Sequence, residues 1–170
     1  GVFAQHGLDK GTSVLLEVMA KHDGAPIAPG SFLCDIGCGS GAIALTLAAR
    51  YPKCTVYAVD TNQRARDICR ENATRNGLGN IVVLSPEEVD PAIRFAALWS
   101  NPPIRIGKSA LHELLELWLA RLDTEGTAYL VVNKNLGADS LSQWITELSY
   151  PTTRLASRNG FRVLEVKAQS

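Results

Sequence analysis

The segment Asp35–Gly41, which reads Asp-Ile-Gly-Cys-Gly-Ser-Gly, decides how this chain folds. The apolar run Ser31–Ile36 leads into it, and the mostly apolar stretch Ala42–Arg50 follows it and ends shortly before a proline. Glycines let the backbone turn tightly between the two, and they leave room for a ligand beside the main chain. We therefore predict a buried strand, a tight turn and a helix over residues 31–50.

The rest of the chain repeats this alternation of strand-like and helix-like stretches. We predict strands over Ser31–Ile36, Cys54–Val59, Asn80–Leu84, Phe95–Ser100, Thr127–Val132, Thr153–Ser157 and Phe161–Val166. We predict helices over Lys10–His22, over Ala42–Arg50, from a Thr61 N-cap to about Asn76, along the apolar stripe Leu111–Leu122 and along Leu141–Leu148. The Asn-Gly pair at residues 159–160 is a strong hairpin signal. The order is thus a helix, five strand–helix-like units and a terminal hairpin. The predicted fold class is α/β: a Rossmann-like, seven-stranded, mainly parallel sheet with an antiparallel C-terminal hairpin and helices on both faces.

Composition limits the classes of function. The 170 residues are about one domain, and with 46% hydrophobic and 20% charged residues they exclude disorder and collagen. The chain has 17 basic residues, lysine and arginine, and 17 acidic residues, aspartate and glutamate, so its net charge is zero. Nucleic-acid binding would therefore need a local basic patch. The four cysteines lack zinc-site spacing, and neither a signal peptide nor a transmembrane run is present. We therefore predict a cytoplasmic protein with no metal site and no membrane association. No pattern indicates an oligomeric state. Because residue 1 is glycine, we expect one domain, 1–170, cut from a longer chain.

The acids around the glycine turn indicate what ligand it holds. Asp60 ends the second predicted strand, 19 positions after Gly41, where a carboxylate can accept hydrogen bonds from ribose hydroxyls. Asp35 stands directly before the turn, and the spacing is Gly-x-Gly-x-Gly rather than the Gly-x-Gly-x-x-Gly of dinucleotide sites. A carboxylate there opposes a pyrophosphate and favours a cation. S-adenosylmethionine carries a sulfonium, an ammonium and a ribose but no phosphate, so it fits better than NAD.

The segment Ser85-Pro86-Glu87-Glu88 follows the third predicted strand and has two interpretations. Its polar groups, Ser85 and Glu87 among them, would lie at the same sheet edge and could bond an adenine. The segment could equally be a helix N-terminus with Ser85 as the cap and the two glutamates favoured by the helix dipole. Both interpretations can hold at once.

The fourth predicted strand ends in Asn101-Pro102-Pro103-Ile104. The two prolines stiffen the loop and lack N–H donors, so carbonyl oxygens and the Asn101 amide oxygen are its acceptors. Such acceptors suit an NH2 group on a planar system, either a nucleobase amine or a carboxamide. Holding both N–H bonds would aim the nitrogen lone pair at a methyl group without a general base. Ile104 would pack on the flat face of the target.

The two motifs together resemble class I S-adenosylmethionine-dependent methyltransferases that act on amino nitrogens. With Gly1–Phe3, Leu8–Thr12, Asn133 and Asn159–Leu164, the chain is similar over most of its length to the small-domain methyltransferase group that contains the ribosomal RNA guanine-N2 methyltransferases. The resemblance implies the class I methyltransferase fold, S-adenosylmethionine as cofactor and ribosomal RNA or a ribosomal subunit as partner. It implies cofactor contacts from Phe3, Thr12, Asp35, Gly37, Gly39, Gly41, Asp60, Thr61, Ser85, Glu87 and Asn101. It implies that the target amine is held by Asn101, Pro102, Pro103 and Ile104.

Two departures leave alternatives open. The position of Ile104 is often Phe or Tyr in this group, so stacking on a base is weaker, and the two-domain members carry an extra N-terminal domain. Methylation of a protein glutamine is the first alternative, although that family typically has Tyr at this position. A non-catalytic cofactor-binding module and a dehydrogenase are the others. Around the loop, Arg105, Lys108 and Lys134 could meet RNA phosphates or could be ordinary solvated charges.

Overall fold

The computed structural model describes residues 9–169 and contains one seven-stranded sheet with the strand order β3-β2-β1-β4-β5-β7-β6. The strands are β1 (Phe32–Ile36), β2 (Thr55–Val59), β3 (Ile81–Leu84), β4 (Phe95–Ser100), β5 (Leu122–Asn133), β6 (Thr152–Arg158) and β7 (Phe161–Lys167). β1 to β5 pair in parallel, and β7 runs antiparallel to both β5 and β6. The predicted fold class is confirmed.

Helices cover both faces of this sheet. They are α1 (Lys10–Lys21), α2 (Ala42–Arg50), α3 (Gln63–Arg75), α4 (Lys108–Leu119) and α5 (Ala138–Glu147). One hydrophobic cluster joins α1, α2 and α3 to the sheet through residues such as Leu15, Leu47 and Cys69. A second cluster joins α4 and α5 to the other face through Leu115 and Ile145. The apolar strands are buried on both faces, as parallel strands require.

Strand β5 is longer than predicted, because it begins at Leu122 rather than at Thr127. The segment Asp-Thr-Glu-Gly resembles a turn in sequence. In the structure it continues the strand, with Leu122 paired to Phe95 and the register shifting before Ala97. A Cβ at Gly126 would lie 2.8 Å from the carbonyl oxygen of Phe95, so the two strands approach there as only glycine permits. Leu122, predicted at the end of the fourth helix, therefore belongs to the sheet, and α4 ends at Leu119.

One further prediction was wrong in detail. The N-cap of α3 is Asn62, whose side chain accepts a hydrogen bond from the Ala65 backbone N–H, and not Thr61. Either residue type can cap a helix, so sequence alone did not separate neighbours. Between β3 and β4 the chain forms a 3-10 turn, Pro86–Glu88, with Ser85 as its N-cap, rather than a longer helix. A ten-residue connection with two prolines has no room for one.

The terminal hairpin is confirmed. Asn159 and Gly160 both have positive φ, 51° and 82°, which is the conformation of a tight two-residue hairpin turn. No helix in residues 9–169 is long and apolar enough to cross a bilayer.

Candidate active site

The carboxyl ends of β1 and β4 bring the two sequence motifs together. Ile36 is paired with Ser100 in the sheet, and the Ser100 hydroxyl donates to the Ile36 carbonyl oxygen at 3.0 Å. The glycine turn begins one residue after Ile36, and Asn101 follows Ser100. Gly37 and Asn101, 64 positions apart in sequence, thus leave adjacent strands side by side, because the carboxyl ends of parallel strands share one edge of the sheet.

The glycines of the turn have different reasons to be glycine. Gly37, Gly39 and Gly41 all have positive φ, at 76°, 55° and 99°. A Cβ at Gly41 would lie 2.7 Å from the Cys69 sulfur, so packing demands this glycine. A Cβ at Gly37 or Gly39 would meet no atom of the described chain within 4 Å. The space beside these two glycines is open to a ligand, which fits a cofactor lying against the turn.

Asp35 is a buried carboxyl at the start of this turn, with 1% of its surface exposed. Its Oδ2 accepts a hydrogen bond from the Ala44 backbone N–H at 3.1 Å, near the N-terminus of α2. The pKa of Asp35 is raised from 3.8 to about 7, mainly because burial disfavours the charged form. The Ala44 hydrogen bond opposes this rise, and the nearby Asp60 adds to it. A buried acid whose ionised form is costly gains most from a cationic ligand.

Asp60 fixes the shape of the turn from the end of β2. Its Oδ2 accepts from the Gly39 N–H at 2.9 Å, and its Oδ1 accepts from the Asn62 N–H at 2.9 Å. Each carboxylate oxygen can accept more than one hydrogen bond. The half-buried Asp60 thus keeps acceptor capacity for two ribose hydroxyls while it holds the glycine turn in place. Thr61, predicted beside it as a cofactor contact, is exposed.

The segment after β3 is a helical N-terminus, as one of the two interpretations predicted. The backbone N–H and the hydroxyl of Ser85 both donate to Glu88 Oε1, each at 2.9 Å. The pKa of Glu87 is lowered, first by a backbone hydrogen bond and then by the Ser85 side chain. Contact of Ser85 or Glu87 with an adenine stays a prediction.

Asn101 lies at the end of β4 against the first turn of α1. Its Nδ2 donates to Asp9 Oδ2 and lies 3.4 Å from Thr12 Oγ1. Thr12, predicted to contact the cofactor, therefore faces the amide of the target loop. Because the two N–H bonds of Asn101 face these oxygens, its Oδ1 is the atom left to accept from a ligand.

The two prolines behave differently. The carbonyl oxygen of the exposed Pro103 accepts from the Ile106 N–H at 3.2 Å in a short 3-10 turn, Ile104–Ile106. No backbone N–H of residues 9–169 donates to the carbonyl oxygen of the buried Pro102. Among residues 9–169, no donor bonds Asn101 Oδ1 or the Pro102 carbonyl oxygen, two acceptors on consecutive residues. Ile104 is half-buried beside them.

Basic residues of the loops and of the C-terminal hairpin differ in their partners. Arg105, Lys108 and Lys134 are exposed on the segments that follow β4 and β5, and no acid of residues 9–169 lies within 4 Å of them. Arg158 instead pairs with Glu17 at 3.4 Å, and Arg162 pairs with Asp139. The loops that follow β4 and β5 thus carry three basic side chains with no acid partner among residues 9–169.

Sequence reasoning missed Asp9, the residue that holds Asn101. Phe3, a predicted cofactor contact, lies outside the described residues. A cavity of about 370 Å³ lies between α1 and the opposite edge of the sheet and contains none of the predicted site residues. Among residues 9–169, no group of three or more His, Cys, Asp or Glu could hold a metal ion.

Two solved structures that superpose well on this chain are named methyltransferases. The structure of precorrin-6y C5,15-methyltransferase from Geobacter metallireducens superposes with a TM-score of 0.76 at 16% identity, covering 99% of this chain and 95% of that one. The 16S rRNA N2 methyltransferase of T. thermophilus, solved with AdoMet and guanosine, gives 0.77 at 23% identity, covering 99% of this chain and 46% of that one. These likenesses show that the chain has the Rossmann-like fold of these two proteins.

The methyltransferase small domain family matches residues 1–165, and this chain belongs to it. The chain is 32% identical to the uncharacterized protein YbxB of Bacillus subtilis, covering 98% of this chain and 82% of that protein. It is 33% identical to ribosomal RNA small subunit methyltransferase C of Stutzerimonas stutzeri, covering 96% of this chain and 48% of that protein. The chain therefore spans about half the length of that methyltransferase. Membership of the family confirms the resemblance and S-adenosylmethionine as the cofactor.

Proposed function

We propose that this chain methylates the exocyclic N2 amine of a guanine in ribosomal RNA, with residues 1–170 as the catalytic domain. The observation that carries the proposal is a pair of acceptors beside the glycine turn, Asn101 Oδ1 and the Pro102 carbonyl oxygen, to which no group of residues 9–169 donates. Relatives named ribosomal RNA small subunit methyltransferase C support the RNA class of substrate. The open space at Gly37 and Gly39 and the carboxyls of Asp35 and Asp60 fit the cofactor.

The chain acts mainly by positioning. Bound S-adenosylmethionine supplies an electrophilic methyl group on a sulfonium. Asp35 supplies negative charge near the cationic part of the cofactor, and Asp60 accepts from its ribose. Asn101 Oδ1 and the Pro102 carbonyl oxygen accept the two N–H bonds of the amine, which directs its lone pair along the line of the methyl–sulfur bond. Transfer would form the nitrogen–carbon bond as the methyl–sulfur bond breaks, would leave S-adenosylhomocysteine, and would release the extra proton of the nitrogen to solvent afterwards. Orientation of this kind contributes up to about 7–11 kcal/mol in favourable cases.

The surface around the loop favours a nucleic acid over a free small molecule. Arg105, Lys108 and Lys134 are exposed on the segments that follow the carboxyl ends of β4 and β5, where they can contact phosphates. Two large apolar side chains on the same loops, Ile106 and Leu136, are 48% and 52% exposed. Apolar contact with bases and ionic contact with phosphates are the two needs of such a surface. A guanine within a duplex would have to be flipped out to reach Asn101.

Replacement of Asn101 by alanine tests this function. We expect methyl transfer into ribosomal RNA to fall about 100-fold, because one of two acceptors that orient the amine is lost. Binding of S-adenosylmethionine, measured by calorimetry, should change much less. Asn76→Ala, at the C-terminus of α3 on the opposite edge of the sheet, is the matched control and should leave transfer unchanged. Unchanged transfer by Asn101→Ala would overturn the assignment of the amine site.

A further inference from the structure

The Asp9 carboxylate accepts two hydrogen bonds, one from α1 and one from the loop after β4. Its Oδ1 accepts from the Gly11 backbone N–H at 2.9 Å, which caps the N-terminus of α1. Its Oδ2 accepts from Nδ2 of Asn101, a residue 92 positions away. One carboxylate thus joins the start of α1 to the loop that presents the target-amine acceptors. A cap alone needs only the first of these bonds.

We propose that Asp9 is a positioning residue that sets which end of the Asn101 amide faces the substrate. The inference rests on the proposed role of Asn101 in holding an amine. An asparagine amide can turn by 180°, which exchanges its acceptor oxygen and its NH2 group. A carboxylate only accepts hydrogen bonds, so Asp9 favours the orientation with Nδ2 inward and Oδ1 free. The reversed orientation would place an NH2 group against the NH2 of the substrate.

Thr12 does not set this orientation by itself. Its Oγ1 lies 3.4 Å from Asn101 Nδ2, near the outer limit of a hydrogen bond. A hydroxyl can both donate and accept, so Thr12 tolerates either orientation of the amide. The orientation of the Asn101 amide therefore depends on Asp9.

Close packing at Gly11 keeps the amide beside Asp9. A Cβ at Gly11 would lie 3.0 Å from Asn101 Nδ2 and 3.2 Å from a ring carbon of Phe161. The first turn of α1 thus approaches the amide as closely as a side-chain-free residue allows. The first turn of α1, its cap Asp9 and the Asn101 side chain are therefore in direct contact, so Asp9 can act on the orientation of the amide.

Two substitutions of Asp9 separate its cap from its effect on Asn101. Asp9→Asn keeps one oxygen for the Gly11 N–H, and asparagine is a good N-cap, so α1 stays capped. Its remaining NH2 group then faces Asn101 and favours the reversed amide. Asp9→Ala removes the cap but imposes no orientation. The order of stability should therefore be wild type, Asp9→Asn, Asp9→Ala, whereas the order of turnover should be wild type, Asp9→Ala, Asp9→Asn.

The experiment measures methyl transfer, cofactor affinity, melting temperature and the side-chain amide NMR signal of Asn101 on the full chain. In Asp9→Asn, a neutral hydrogen bond from the new NH2 group favours the reversed Asn101 amide. The fraction of molecules with Asn101 Oδ1 facing the substrate then falls to roughly a tenth to a third. The kcat/KM for the methyl acceptor should therefore fall about 3- to 10-fold. Asp9→Ala should fall about twofold, the loss expected from a random amide. Cofactor affinity should stay within about twofold in both variants, since a positioning effect acts on the amine. The Asn101 signal, assigned by its loss in Asn101→Ala, should move in Asp9→Asn.

Different results would overturn the role of Asp9 and the proposed function. Turnover that follows stability, with Asp9→Ala as the slower enzyme, would leave Asp9 a structural cap and overturn the inference. An Asn101 signal that Asp9→Asn does not move would overturn it for any substrate. Absence of transfer by the wild type to any RNA would instead refute the proposed function, and the NMR signal would still decide the contact.

Discussion

Replacing Asp35 with asparagine should stabilise the chain at neutral pH while it weakens cofactor binding. The Asp35 carboxyl is 1% exposed, and burial raises its pKa from 3.8 to about 7. That difference corresponds to about 4 kcal/mol, at about 1.4 kcal/mol per pKa unit. Asparagine keeps an oxygen for the Ala44 N–H but carries no charge, so the cost of ionisation disappears.

The sign of the pH dependence follows from this raised pKa. Between about pH 4 and about pH 7 the folded chain holds a proton on Asp35 that the unfolded chain has released. Stability of the wild type therefore declines as pH rises through this window and levels off above it. The free energy of unfolding of Asp35→Asn, minus that of the wild type, should rise from near zero at pH 4 to about 4 kcal/mol at pH 8.

Urea unfolding followed by circular dichroism from pH 4 to pH 8 measures this difference. Asp23→Asn is the control, because the side chain of Asp23 is fully exposed, and its difference should stay within about 0.5 kcal/mol. At pH 8 calorimetry should show weaker S-adenosylmethionine binding by Asp35→Asn, since the charge opposite the cation is lost. Parallel pH profiles for wild type and Asp35→Asn would refute the claim that Asp35 is a costly buried acid.

Two other predictions concern the glycine turn and the basic loops. Gly41→Ala should destabilise the chain by roughly 2–4 kcal/mol, because the new Cβ would be strained at φ 99° and would meet the Cys69 sulfur. Gly39→Ala should destabilise the chain by only about 1–2 kcal/mol but should abolish cofactor binding. Thermal melts measure the stability of the two variants, and calorimetry measures their cofactor binding. An equal loss of stability in both variants would contradict the claim that Gly41 packs against Cys69. Lys108→Gln should lower the slope of RNA affinity against salt by about 1, whereas Lys53→Gln, on the opposite edge, should not; equal slopes would exclude Lys108 from the RNA surface.

The sequence was sufficient to place the main parts of the site. Strand β1, the glycine turn and Asp60 could be predicted because carboxyl ends of parallel strands share one edge and because glycines and acids mark it. Asn101 was placed by the same argument. The pattern also indicated the hairpin, since Asn-Gly favours positive φ at both positions.

What sequence could not provide depends on contacts between distant segments. Asp9 has no local signal beyond a helix cap, and its bond to Asn101 exists only after α1 packs on the sheet. Gly126 resembles a turn glycine until its neighbour across the sheet is known. Thr61 and Asn62 are equivalent as caps by residue type, and only the path of the chain after Asp60 selects Asn62.

The central claim is tested most directly by methyl transfer from labelled S-adenosylmethionine into ribosomal subunits and a fractionated lysate from cells that lack the native enzyme. We expect the transferred label to be lost on treatment with ribonuclease and to survive treatment with protease. Nucleoside analysis of the labelled RNA should then identify N2-methylguanosine. Label that survives ribonuclease and is lost to protease would contradict it and would assign the same acceptors to a protein glutamine.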